Sequence, residues 1–178
     1  VPAHTLPVIK KPGLKTVVTV HDLGAEYLPK MHQLKQQLYL KYITRYQLRS
    51  ATRLIVVSNA TKKDLIKKVG IDPKKVSVVY EGYDSKLFKP SNDAVVNSLK
   101  PYYLFVGTIQ PRKNLERIIK AFERLLRSGR NDDVNLVIVG SKGWLSDEIY
   151  KLPKKLGIEK RVKFMGFVPD QNMPRLYS

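Results

Sequence analysis

Arg112 and Lys113 stand in the stretch GTIQPRKN (Gly107–Asn114), where a hydrophobic run stops and a helical pattern begins. Two cations just ahead of a helix oppose the positive end of its dipole, at a cost of about 0.3–1 kcal/mol each. A bound phosphate reverses that sign, because dipole, free backbone N–H groups and both cations then favour one anion. The competing reading is a solvated basic loop in a basic protein, since the Gly-rich signature of a P-loop or dinucleotide cradle is absent. His21 and Asp22 close another run in VVTVHDLG. An imidazole there could bond a sugar hydroxyl or a phosphate, or move a proton. Alternatively, Asp22 closes an Asx turn and His21 packs. Phe167 and Val168 in GFVPDQNMP either lie against a planar base or tuck into the core. His4, His21 and His32 are scattered without ligand spacing, so no metal is expected.

These residues need elements to hold them. Six β-branched or aromatic runs are continuous rather than alternating: Val17–Val20, Arg53–Ser58, Val76–Tyr80, Tyr102–Gly107, Asn135–Gly140 and Val162–Gly166. Such runs predict parallel strands buried on both faces. Helical patterns lie between them, clearest in Leu115, Ile118, Ile119, Phe122, Leu125 and Leu126, closed by Ser128-Gly129. Others run over 33–49, 61–69 and 145–156. Asn114 is the expected cap of the helix at Leu115, and Ser58 or Thr61, with Asp64, that of the helix over 61–69. The alternation predicts a doubly wound α/β architecture, broken once by a linker over 84–101.

Composition bounds the function. The 178 residues are 43% hydrophobic, enough for a core or for two small α/β units. No apolar run approaches the roughly 20 residues of a membrane span. Absence of cysteine excludes disulfide and thiolate chemistry and fits a reducing compartment. Thirty-three Lys and Arg against fifteen Asp and Glu give +18, which attracts polyanions without choosing among them. The 33–49 helix carries Lys41, Arg45 and Arg49 in one stripe and Tyr39, Tyr42 and Tyr46 in another. That pattern suits a membrane surface or nucleic acid, but a tyrosine face packed on the sheet with a solvated cationic back is favoured. No RNA- or DNA-binding motif accompanies it, so a specific nucleic acid partner is not expected.

The segments VVTVHDLG, ATRLIVVSNATKKDLIKKVGI, VSVVYEGYDSKLFKP, YYLFVGTIQPRKNLERIIKAFERL, LVIVGSKGW and VKFMGFVPDQNMPRLYS together resemble family 4 of the retaining glycosyltransferases, the group 1 type. Order and spacing match over essentially the whole chain. The resemblance implies a GT-B fold of two Rossmann-like parallel-sheet halves, both incomplete here. Residues 1–89 would be the C-terminal part of the acceptor-side domain, and residues 90–178 the N-terminal part of the nucleotide-sugar-binding domain. It further implies transfer of a sugar from a UDP- or GDP-sugar to a carbohydrate or lipid-linked acceptor, with retention and without metal or other cofactor.

By position, the resemblance makes Arg112 and Lys113 the clamp on the donor diphosphate, stabilising it as leaving group. Gly107 and Thr108 would let the backbone approach the phosphates. Many relatives carry an arginine where Thr108 stands, so Arg112 would take over that duty. His21, with Asp22 beside it, becomes the catalytic candidate, and Phe167 and Val168 fall where the family holds the nucleobase.

The family's glycine-rich segment is expected ahead of Val1 and its glutamate pair after Ser178. Glu116 and Glu123 have the wrong spacing to substitute. The chain therefore reads as the central portion of a transferase. The alternative is a non-catalytic nucleotide-sugar or polyanion-binding module. Three strands per half leave unpaired edges, so a homo-oligomer is expected. The expected location is cytoplasmic, with peripheral contact to the inner face of an anionic membrane.

Overall fold

The computed structural model describes residues 13–23, 42, 44–90, 99, 101–129 and 133–178. They divide into two compact units, Val1–Gly82 and Tyr83–Ser178. Each holds a three-stranded parallel sheet. All six apolar runs form strands, which gives two α/β halves.

In the first unit the strands are β1 (Val17–Val20), β2 (Arg53–Val56) and β3 (Val76–Val78), in that order across the sheet. Val18 registers with Leu54, and Leu54 with Val76, so the buried positions line up in rows on one face. Helix α1 (Arg45–Ser50) adds Leu48 to that face, while α2 (Asn59–Asp64) and its π-type continuation Leu65–Val69 add Leu65 and Val69. Removing each such side chain from water contributes about 1.5–3 kcal/mol. Ser58 is the cap of α2, its Oγ accepting the Thr61 N–H at 3.1 Å.

The tyrosine stripe does not pack on the sheet. Tyr42 and Tyr46 are exposed, whereas Thr44, Gln47, Leu48 and Ala51 are buried at helical spacing and set the inward face. Arg49 leaves the cationic stripe, donating from Nε and Nη2 to the Val69 carbonyl at 3.0 and 2.7 Å. Tyr39 and Lys41 lie outside the described residues.

In the second unit β4 (Tyr102–Val106), β5 (Asn135–Val139) and β6 (Val162–Gly166) run in that order. Central β5 is covered on both faces. Leu136 and Ile138 pack with Leu115, Ile119 and Phe122 of α3 (Leu115–Arg127). Val137 and Val139 meet Met173 and Leu176 of the terminal helix Met173–Tyr177. The Tyr102 hydroxyl donates to the Leu176 carbonyl at 2.8 Å, and burial raises its pKa. Glu123 is buried on α3 and paired with Arg127, which makes it part of that helix's packing. Helix α4 (Asp147–Lys155) begins later than the apolar pattern suggests, because exposed Leu145 has left-handed backbone at φ 50°. The last helix is α5 by number.

The strand ends are where the chain is most constrained. Gly140, just past β5, has φ 147°, and a Cβ there would lie 2.0 Å from the Gly107 carbonyl oxygen. Gly129 at the end of α3 also has positive φ, 66°, but open space around it. Gly140→Ala is therefore expected to destabilise the second unit by roughly 2–4 kcal/mol, strain and overpacking combined. Gly129→Ala should cost about 1–2 kcal/mol. Urea unfolding followed by fluorescence of Trp144, the single tryptophan, reads both. Equal losses would show that the close approach at Gly140 is not what constrains the site.

Candidate functional site

The loops after β4 and β5 continue the ladder past the strands. Gly107 N donates to Val139 O at 2.9 Å, Ile109 N to Ser141 O at 3.0 Å, and Gly143 N to Ile109 O at 2.9 Å. Gly140 N reaches Gly166 O at 2.7 Å, which adds the end of β6. Ile109 is fully buried beneath this zipper. A Cβ on Gly143 would lie 2.6 Å from the Ile109 carbonyl and 2.9 Å from Thr108 Cγ2, so only glycine lets the two loops touch. Thr108 stays exposed on the rim.

Beyond Gln110 the chain makes a tight 3-10 turn, Pro111–Lys113, that leads into α3. Asn114 is at the N-cap position of α3, but not as a side-chain cap. Its backbone is left-handed at φ 57°, no side-chain cap bond forms, and its carbonyl accepts from Arg117 N at 3.1 Å. Asparagine suits both tasks, which is why residue type alone did not separate them. The reversal turns Arg112 and Lys113 outward. Both are exposed, and among the described residues neither side chain has a hydrogen-bond or ion-pair partner. Lys113 Cε lies 3.9 Å from where a Gly107 Cβ would stand, so its stem runs beside the glycine.

The next cation along is spoken for. Lys142 Nζ meets Asp147 at 2.6 Å, which holds the Asp147 carboxyl below and the Lys142 ammonium above their ordinary values. Glu148 is held at about 2 by its hydrogen bonds to Lys155 and Lys151. Asp147 and Glu148 are thus paired with lysines of the same loop and helix, whereas Glu116 stands in the first turn of α3. Anion attraction at the zipper rests on Arg112, Lys113 and the Leu115 and Glu116 amides, since the Arg117 and Ile118 amides already donate to the Asn114 carbonyl.

After β6, Phe167 is exposed and Val168 is half-buried against the α5 cluster, so the two neighbours divide between the readings. Trp144 on the β5 loop is also exposed, and was not singled out from sequence. An aromatic in a short glycine-containing loop directly after a strand is the signal that marks it.

In the first unit, His21 does not pack. Its Nδ1 lies 2.8 Å from Glu81 Oε1, with the two side chains 51% and 63% exposed. Its carbonyl accepts from Thr61 Oγ1 at 3.3 Å. Asp22 is exposed beside it. Glu81, just past β3, is a further residue that sequence reasoning passed over.

Comparisons with known proteins bear on both units. Residues 89–178 match the family model for glycosyl transferases group 1, and residues 2–87 match that for Glycosyltransferase Family 4. The O-antigen chain mannosyltransferase B of Escherichia coli is 24% identical over 171 residues, 92% of this chain and 45% of the relative. A UDP-Gal:alpha-D-GlcNAc-diphosphoundecaprenol alpha-1,3-galactosyltransferase of Escherichia coli is 26% identical over 167 residues, 89% of this chain and 42% of the relative. Among solved structures, Anabaena HepE in complex with UDP and glucose superposes with a TM-score of 0.68 at 25% identity, over 91% of this chain and 43% of that one. The chain thus spans less than half the length of these relatives. With the group 1 model matching half of its residues and the strand order in keeping with it, the chain belongs to the glycosyl transferases group 1 family.

Proposed function

We propose that the protein to which these two units belong transfers a sugar from a nucleotide diphosphate sugar to a carbohydrate or lipid-linked acceptor, with retention at the anomeric carbon. One observation carries the reading: among the described residues, the Arg112 and Lys113 side chains have no partner at a zippered strand end ahead of α3, in a chain of this family. Negative charge that develops on the departing diphosphate would meet two cations and the helix amides already in place, which lowers the barrier without reorganisation. Gly107 and Thr108 give the phosphates access to backbone, and the exposed Phe167 holds the base, with half-buried Val168 packed behind it. The first unit serves the acceptor side, with His21 and Asp22 as its catalytic candidates.

A UDP-sugar is the favoured donor over a GDP-sugar. The UDP bound to Anabaena HepE and the UDP-Gal donor named for the Escherichia coli galactosyltransferase support it. The diphosphoundecaprenol in that galactosyltransferase's name supports a lipid-linked acceptor.

Arg112→Ala and Lys113→Ala should each weaken UDP binding by about 1.5–3 kcal/mol, as for a charge-assisted hydrogen bond. Uridine should be nearly indifferent to both changes. Calorimetry with the two ligands separates the cases, and equal losses for nucleoside and diphosphate would count against the phosphate role.

Surface contact and self-association belong to the same reading. Exposed Tyr42 and Tyr46 and a charge of +18 favour peripheral binding to the anionic inner face of a membrane from the cytoplasmic side. Among the described residues, no helix is long and apolar enough to cross a membrane. Exposed Val17 on β1, and Tyr103 and Val106 on β4, the outer strands of the two sheets among the described residues, favour pairing between copies. Cosedimentation with anionic vesicles should fall steeply with salt, since screening cuts the reach of charge to roughly 8 Å at physiological strength. Light scattering without vesicles should give at least a dimer. Salt-independent sedimentation, or a strict monomer, would overturn the corresponding part.

A further inference from the structure

The C-terminal edge of the first sheet carries polar chemistry apart from the proposed diphosphate clamp. His21 follows β1, Asn59 opens α2 just after β2, and Tyr80 and Glu81 follow β3. Side-chain bonds tie these three loops together. Thr61 Oγ1 donates to the His21 carbonyl at 3.3 Å, Asn59 Nδ2 to the Tyr80 hydroxyl at 2.9 Å, and the His21 ring meets Glu81 at 2.8 Å. The His21 backbone is thereby held from the β2 side and its ring from the β3 side.

A carboxylate can only accept, so an imidazole nitrogen at 2.8 Å from one must carry a proton. In the neutral ring that proton is on Nδ1, and Nε2 keeps a lone pair. Free imidazole of histidine favours the opposite tautomer, with the proton on Nε2. The contact therefore selects the less common form. Both side chains are more than half exposed, so the pair contributes little to stability and acts on orientation.

We propose that Glu81 is a positioning residue that fixes His21 as the Nδ1–H tautomer, so that Nε2 accepts a hydrogen bond from a substrate hydroxyl instead of donating one to a phosphate. The inference deepens the reading of His21 as a sugar-side residue and rests on it. It assigns the hydroxyl of donor sugar or acceptor, not the diphosphate, as the group His21 recognises. No proton needs to leave the ring for that recognition.

The test uses the full chain labelled with 15N and long-range proton–nitrogen correlation of the imidazoles. The pH is set roughly two units above the ordinary histidine value of about 6.5, where a free ring is neutral. His21→Gln assigns the resonances. The expected result is a protonated, pyrrole-type Nδ1 and an unprotonated Nε2 at His21. Glu81→Ala should move the ring to the Nε2–H form while the backbone amide spectrum of the remaining residues stays in place. Inorganic phosphate should leave Nε2 unprotonated. An Nε2–H ring in the unaltered chain, an unchanged tautomer in Glu81→Ala, or conversion of Nε2 to a donor by phosphate would each overturn the proposal. The tautomer is read without nucleotide, so its failure is separate from any failure of UDP to bind the second unit.

Discussion

The closest constraint among the described glycines is the approach of Gly140 to the Gly107 carbonyl, with 2.0 Å left for a Cβ that glycine does not have. That approach lets the chain after β4 and the chain after β5 bond to each other once the strands themselves have ended. Ile109 is then buried under the seam, and the chain must leave through the tight Pro111–Lys113 turn. The left-handed step at Asn114 redirects it into α3. The exposure of Arg112 and Lys113 follows from these backbone conditions and from no contact of their own side chains. A basic loop is ordinary. Basic side chains on a loop that is itself zippered to its neighbour can meet an anion with the backbone already ordered and only their own rotamers left to fix.

The first unit reaches a comparable end by other means. Its strand-end loops are joined by side chains: a hydroxyl to a carbonyl, an amide to a phenol, an imidazole to a carboxylate. Side-chain ties at an exposed edge are weaker than a backbone ladder and easier to rearrange. The contrast suits the proposed division of labour, in which one unit would hold a diphosphate and the other would recognise hydroxyls. Charge is neutralised locally at Asp147 by Lys142, while the Arg112 and Lys113 side chains have no partner among the described residues.

Much of this was visible in the residues. Continuous Val, Ile and Leu runs mark strands that need cover on both faces, and β5 has it. The stripe from Leu115 to Leu126 fixes α3 because its period admits one inward face. Arg112 and Lys113 stood out because they break the dipole rule. What stayed hidden depends on partners distant in sequence. The glycine at 140 is required by a carbonyl 33 positions earlier, and His21 is oriented by Glu81, 60 positions later. The inward face of α1 is set by Gln47 and Leu48, so the aromatic stripe beside them turned out to be the exposed one. Asn114 and Leu145 failed for a local reason: a left-handed residue looks like a cap or a helix start until its φ is known.

The central claim is that the zippered strand ends of the second unit form a nucleotide diphosphate site. Amide chemical-shift mapping of the labelled chain with UDP tests it most directly. The account predicts saturable shifts concentrated in Gly107 to Asn114, in the first turn of α3, and at Phe167 and Val168, with the first unit's sheet unmoved. Shifts scattered over lysines and arginines of both units, without saturation, would mean that the charge merely attracts polyanions and would contradict it.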